Sequence, residues 1–220
     1  MFGAPGSGKG TQAKLLQDSL GLAHISTGDM LRERIQSGDE LGKEVEALLQ
    51  AGTLVSDEIV QQLVEDRIEM RDTQKGFILD GFPRTVNQAK TLGELLAAKG
   101  IRPLVVHLKV DYNVIIARLS GRRLCPTCGA LYSVTSNSPS ESQACDYDGT
   151  RLVVRDDDRA DVVRARLMAY EEQTAPVLEC LKEAGYACRE LEGAGESPQA
   201  ISRKIQALAQ EFQAGGGDAQ

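Results

Sequence analysis

Gly3-Ala4-Pro5-Gly6-Ser7-Gly8-Lys9-Gly10-Thr11 opens the 220-residue chain and runs directly into a helical segment carrying Leu15 and Leu16. Glycines at this spacing let a backbone wrap closely around phosphate oxygens, with successive amides turned inward. The helix start that follows adds partial positive charge. Gly6, Ser7, Gly8, Lys9, Gly10 and Thr11 are therefore candidate phosphate ligands, with Lys9 reaching the outer phosphates. The bland alternative is a glycine turn before a helix, but chance agreement at five spaced positions does not explain the match. The strict pattern has Ser or Thr directly after Lys to ligate magnesium, whereas here Gly10 intervenes and Thr11 follows. A buried strand should also feed such a loop, and only Met1 and Phe2 precede it. The expectation is an apolar β-type run ahead of Met1 in the natural chain, with Phe2 as its final residue.

Outward from this loop, short apolar runs alternate with amphipathic stretches, the pattern of a parallel sheet covered by helices. Phe77–Asp80 and Leu104–Leu108 read as strands, with Tyr186–Leu191 as a weaker third. Ile59, Leu63 and Ile68 share a helical stripe behind a cap at Ser56, and Leu92, Leu95 and Leu96 form another before Gly100. A helical region spans about 158–185, with Pro176 expected to kink or break it. The last helix starts at Ser197-Pro198 and repeats Ile201, Ile205, Leu208 and Phe212; residues 215–220 read as a disordered polar tail. The fold class is α/β: a three-layer phosphate-loop fold with a parallel sheet flanked by helices.

Composition narrows the function. Hydrophobic content of 41% and charged content of 26% are those of a globular domain. A net charge of −7 and nine aromatics without Trp argue against a nucleic-acid binder. Two histidines exclude motifs that need paired His ligands. No apolar stretch is long enough to span a bilayer and no secretory signal is visible, so the expected compartment is the cytoplasm.

Residues 121–155 break the alternation, being rich in Cys, Ser, Asn, Pro and Gly and too poor in apolar residues to hold a core. Within them, Cys125-Pro126-Thr127-Cys128 and Cys145-Asp146-Tyr147-Asp148 form a CxxC and a CxxD separated by sixteen residues. Three thiolates and a carboxylate on two short knuckles suit a closed, tetrahedral structural zinc site that folds the segment around it. A redox-active CxxC or a disulfide is the rival, and a reducing compartment with a matching CxxD knuckle speaks against both. Cys180 and Cys188 lie outside the insert and read as packed apolar positions.

Two further motifs complete the set. Ser26-Thr27-Gly28-Asp29-Met30-Leu31-Arg32 sets hydroxyls at a helix start and a guanidinium one turn in. Asp80-Gly81-Phe82-Pro83-Arg84-Thr85-Val86-Asn87-Gln88 follows a strand and puts Asp80 at its carboxyl end, where α/β ligands bind. Alone, Gln88 is also the fourth residue of a capping box opened by Thr85, and Arg32 an ordinary surface charge. Taken in order with the phosphate loop, with GRR at 121–123 and RDDD at 155–158, the chain resembles the adenylate kinases of the nucleoside monophosphate kinase family, in their long-lid, bacterial-type form with a zinc-binding lid.

The resemblance implies reversible transfer of the terminal phosphoryl group of MgATP to AMP, giving two ADP. It implies a core of residues 1–26, 56–120 and 156–214, an AMP-binding subdomain at 27–55 and a lid at 121–155. Residue by residue, it assigns ATP to Gly6–Thr11, Arg118, Arg122, Leu131, Tyr132 and a backbone contact from Gly195. It assigns AMP to Thr27, Arg32, the Thr53-Leu54-Val55 backbone, Gly81, Phe82, Pro83, Arg84, Gln88, Arg155 and Arg166. Lys9, Arg84, Arg122, Arg155 and Arg166 would carry the catalysis, with Asp157 and Asp158 positioning the arginines. Mg2+ would arrive with ATP, Zn2+ would be structural, and the protein would act as a monomer without nucleic-acid or membrane partners. The rivals are a kinase for UMP, CMP or GMP or one using GTP as donor, a generic phosphate-loop ATPase, and a non-enzymatic zinc-knuckle module. Gln88 favours AMP, because an amide both donates to and accepts from the adenine edge.

Overall fold

The computed structural model describes residues 1–134, 138–141 and 143–215. The tail expected to be disordered lies, apart from Gly215, outside the described residues. Two pairs of parallel strands form the sheet: β1 (Ala23–Ser26) with β2 (Phe77–Asp80), and β3 (Leu104–Lys109) with β6 (Ala187–Glu192). Phe2 joins them. Its N–H donates to Val106 and its carbonyl accepts from Leu108, both at 2.8 Å, while the Met1 amino group donates to Leu79 at 2.8 Å. The phosphate loop therefore leaves the sheet between β2 and β3, at the carboxyl ends of the strands.

Helices cover both faces. On one, Ala13 and Leu16 of α1 (Lys9–Leu20) and Ile201 and Ile205 of α9 (Pro198–Ala214) bury Ile78, Val106 and Leu108. On the other, α5 (Val86–Ala98) packs on α8 (Ala175–Glu183) around Phe2, Ala89, Val177 and Leu181. A third cluster joins Ile25 and Phe82 to α2 (Thr27–Gln36), α3 (Glu40–Ala51) and α4 (Asp57–Ile68) through Leu31, Val45, Val60 and Val64. No described helix is long and apolar enough to cross a membrane.

The helix-start signals hold: the hydroxyls of Ser56, Thr85 and Ser197 accept from the amides three residues on. The 158–185 region divides as Pro176 requires, into α7 (Ala160–Ala169), a π-helical turn at Tyr170–Thr174, and α8 with Pro176 in its first turn. β1 was not anticipated; its four residues alternate two buried side chains with the polar His24 and Ser26.

The insert follows α6 (Tyr112–Ser120) as a hairpin of β4 (Arg122–Leu124) and β5 (Leu131–Ser133). Among its described residues, Cys125, Ala130, Tyr132, Cys145 and Leu152 form a buried core of its own. Cys180 and Cys188 are half-buried among the apolar residues of α8 and β6, and their thiols are free.

Candidate active site

The phosphate loop is shaped before any ligand arrives. Gly6 takes φ +80°, and a Cβ there would fall 2.8 Å from Leu119, so only glycine fits. Lys9 turns back and donates to the carbonyls of Gly3 at 2.6 Å and Ala4 at 2.8 Å. Burial lowers its pKa from 10.5 to about 8; Asp80 works against that fall, and Arg84, Arg166 and Arg122 add to it. Ser7 is buried and its Oγ has no hydrogen-bond partner among the described residues, a donor open to a ligand oxygen. Asp80 lies beside Gly10, whose added Cβ would sit 3.1 Å from its carboxylate, and His24 Nε2 is 3.2 Å away on its other side. Burial would raise the pKa of this carboxyl, but its hydrogen bond with His24, then Lys9 and the Met1 amino group, hold it below its ordinary range.

A second site, formed as a cavity, opens where β1 and β2 end. Thr27, Leu31, Leu54, Val55, Gly81, Arg84 and Gln88 line it, together with Thr53 from the turn after α3. Thr27 Oγ1 donates to Gly81 at 2.9 Å, and Arg84 Nε donates to the same carbonyl at 2.7 Å. The two side chains close so tightly over Gly81 that a Cβ there would meet both, at 2.8 and 2.9 Å. Thr174, the last residue of the π-helical turn, fixes the Arg84 carbonyl at 2.9 Å. Phe82 is buried beneath, and the Phe82–Pro83 peptide is cis. Gln88 is 1% exposed. The capping box forms only half: Gln88 N–H bonds Thr85, but its side chain accepts from Arg84 N–H at 2.7 Å and leaves the Thr85 amide alone.

An arginine–aspartate cluster reaches both places: Arg122 and Arg166 act electrostatically on Lys9, and Asp157 acts on Arg84. Arg155 grips Asp157 with Nε and Nη2, both at 2.9 Å, and Arg166 reaches the carbonyl of Asp157 at 2.8 Å. Arg122 Nε bonds Asp158 at 2.6 Å, while Arg166 stands 3.5 Å from the same carboxylate. Burial alone would raise the Asp157 pKa, yet Arg166 and Arg155 hold it at about 2. Arg166 itself falls to about 10, chiefly through burial. Lys9, Arg84, Arg122, Arg155 and Arg166 outnumber Asp80, Asp157 and Asp158, so the half-buried cluster carries surplus positive charge. Such a surplus favours an anionic ligand.

Other anticipated residues are placed differently. Arg32 pairs with Asp29 on α2, outside the residues lining the second cavity. Arg118 donates to the carbonyls of Ser7 at 3.2 Å and Gly193 at 2.7 Å. Gly193, not singled out in the sequence, packs on the phosphate loop, whereas a Cβ added at Gly195 would meet nothing within 4 Å. Leu131 is exposed on the insert, but the Tyr132 ring is buried in the insert core. Its hydroxyl accepts from Asp146 N–H at 2.8 Å and lies 3.4 Å from Cys145 Sγ.

The cysteine knuckles converge. One ligand atom each from Cys125, Cys128, Cys145 and Asp148 lies within 4.8 Å of the others. Cys128 and Cys145 sulfurs are 3.5 Å apart, and Cys125 Sγ is 3.4 Å from the Asp148 oxygens. Tetrahedral zinc with bonds of roughly 2.0–2.3 Å places neighbouring ligands about 3.5–3.8 Å apart, so this donor set fits the metal.

A phosphate loop between two strands of a parallel sheet, a cavity beside it and a cationic cluster reaching both are the arrangement of a phosphotransferase. The family described as adenylate kinase matches residues 1–186, and the chain belongs to that family. Relatives named adenylate kinase include one from Oceanobacillus iheyensis, 45% identical over 84% of this chain and 87% of its own. One from Pseudothermotoga lettingae is 47% identical over 81% and 83%, and one from Anaeromyxobacter sp. strain K is 44% identical over 93% and 97%.

Proposed function

We propose that this protein transfers the terminal phosphoryl group of MgATP to AMP, reversibly, giving two ADP. The observation that carries the reading is a preformed phosphate loop and a separate cavity served by one arginine–aspartate cluster. A generic phosphate-loop ATPase would need only the first, and a zinc-knuckle module neither.

Residues 121–155 act as the lid and residues 27–55 as the AMP-binding subdomain. The amides of Gly6–Thr11 cradle the ATP phosphates. Lys9 exchanges the carbonyls of Gly3 and Ala4 for phosphate oxygens, and Ser7 Oγ gains a partner. Arg118 faces the ATP base. Thr11 and Asp80 would hold a magnesium ion carried by the nucleotide, which supplies charge neutralisation when bound. AMP takes the second cavity with its base on Gln88 and its phosphate towards Arg84. An AMP phosphate oxygen is already a competent nucleophile, so the chemistry rests on alignment and charge stabilisation rather than on a general base. Arg84, Arg122, Arg155 and Arg166 supply fixed donors to the transferring group, and Asp157 and Asp158 hold them in place. Arg32 turns from Asp29 to the AMP phosphate on binding. Cys125, Cys128, Cys145 and Asp148 would hold a structural zinc ion that staples the lid, whose closure excludes water as the competing acceptor.

The enzyme is read as a cytoplasmic monomer. The deciding experiment measures ADP formation from ATP, with GTP in parallel, and with AMP, CMP, UMP or GMP as acceptor. Fastest turnover with AMP and little ATP hydrolysis without it is the expected result. Preference for UMP or CMP at equal concentration would overturn the reading.

A further inference from the structure

Asp57, at the first position of α4, has no task in the mechanism above, yet three side-chain donors converge on its half-buried carboxylate. Thr85 Oγ1 lies 2.9 Å from Oδ2, Asn87 Nδ2 donates to the same oxygen at 3.1 Å, and Gln88 Nε2 donates to Oδ1 at 2.8 Å. On its other side Gln88 Oε1 accepts from Arg84 N–H at 2.7 Å.

These contacts fix which end of the Gln88 amide is which. A carboxylate only accepts and a backbone N–H only donates. A flipped amide would set oxygen against carboxylate and NH2 against N–H, turning two hydrogen bonds into two repulsions. One N–H and one oxygen lone pair of the amide remain for a ligand in the cavity. Adenine offers an amino donor beside a ring-nitrogen acceptor. Guanine and hypoxanthine offer a carbonyl acceptor beside an N–H donor. An amide free to rotate by half a turn satisfies either edge, whereas a held one satisfies one.

We propose that Asp57 is a specificity-determining positioning residue: by holding the Gln88 amide in one orientation, it makes the second cavity select 6-amino over 6-oxo purine monophosphates. The proposal rests on Gln88 as the reader of the acceptor base. Asp57 follows Thr53-Leu54-Val55 closely in sequence, so the lock joins that wall of the cavity to the residue that reads the base. Arg84 N–H remains when Asp57 is removed, so the loss of selectivity is partial.

The test compares kcat and KM for AMP, IMP and GMP in the unaltered enzyme, Asp57→Ala, Asp57→Asn, Gln88→Ala and the double Ala variant, with KM for ATP and melting temperature alongside. Leaving a buried donor unpaired predicts about a tenfold fall in the AMP-over-IMP ratio of kcat/KM for Asp57→Ala, with KM for ATP within about twofold. Asp57→Asn keeps one acceptor oxygen and falls between; it carries the test if Asp57→Ala does not fold. In the Gln88→Ala background the change in ratio vanishes. A purely structural Asp57 would lower the melting temperature and slow AMP and IMP alike, and an unchanged ratio overturns the proposal. So does a ratio change that persists undiminished without Gln88. If Gln88→Ala itself leaves the ratio intact, what fails is Gln88 as the base reader.

Discussion

Arg122 and Asp158 meet along matched edges, with Arg122 Nε 2.6 Å from Oδ2 and Nη2 bonded to Oδ1, and the Asp158 side chain has no exposure. A carboxylate so placed exists to hold its guanidinium, and it also faces Arg166 at 3.5 Å. Asp158→Ala is expected to lower kcat by about 10²–10³, because two transition-state donors lose their alignment. Removing one partner of a buried pair should also cost roughly 3–5 kcal/mol of stability. Asp158→Asn separates the effects, keeping the shape and one acceptor while shedding the charge. Unaltered kcat in a folded Asp158→Asn with misplaced arginines would refute the positioning role.

The lowered Lys9 pKa gives a pH signature. The cation is present below about 8 and lost as pH rises through that value. Free-enzyme ionisations appear in kcat/KM, so kcat/KM for ATP should fall on the alkaline side of about pH 8. In Lys9→Arg, which stays charged throughout, residual activity should lack that limb. An identical alkaline limb in the variant would assign it to another group.

One zinc ion per chain is expected by elemental analysis. Cys145→Ser should lower the melting temperature chiefly through the insert and leave the phosphate loop competent to bind ATP. With all four positions filled by protein, activity should decline only as the insert unfolds. Metal-free protein with all five thiols freely titratable would contradict this.

Gly81→Ala tests the close approach at the second cavity. A methyl there meets Thr27 and Arg84 within 3 Å at φ +81°. The left-handed backbone alone costs about 1–2 kcal/mol, and the displaced Arg84 should raise KM for AMP far more than KM for ATP. Equal effects on both substrates would mean that the cavity belongs to neither one alone.

The phosphate loop, the apolar strands β2 and β3 and the helix caps were legible because each depends on near neighbours in sequence. β1 was not, because its interior face carries only Ala23 and Ile25, while His24 is tolerated through Asp80 in the strand beside it. The same limit hid Asp57, which acts on a residue 31 positions away. Gly193 went unmarked because its role is set by packing on Ser7 and by the carbonyl it offers to Arg118. The cysteine cluster is the converse case: four sparse ligands across a loop were readable because metal chemistry restricts their types and spacing.

Cys125, Ala130, Tyr132, Cys145 and Leu152 form an insert core that, among the described residues, is separate from the other buried clusters. Selection can therefore rebuild this segment, exchanging the four-ligand cluster for apolar or hydrogen-bonded packing, without retouching the sheet that carries the phosphate loop. Heat tolerance and turnover become separately adjustable traits, and grafting the insert between relatives should move the first while leaving the base preference proposed for Gln88 and Asp57 with the recipient.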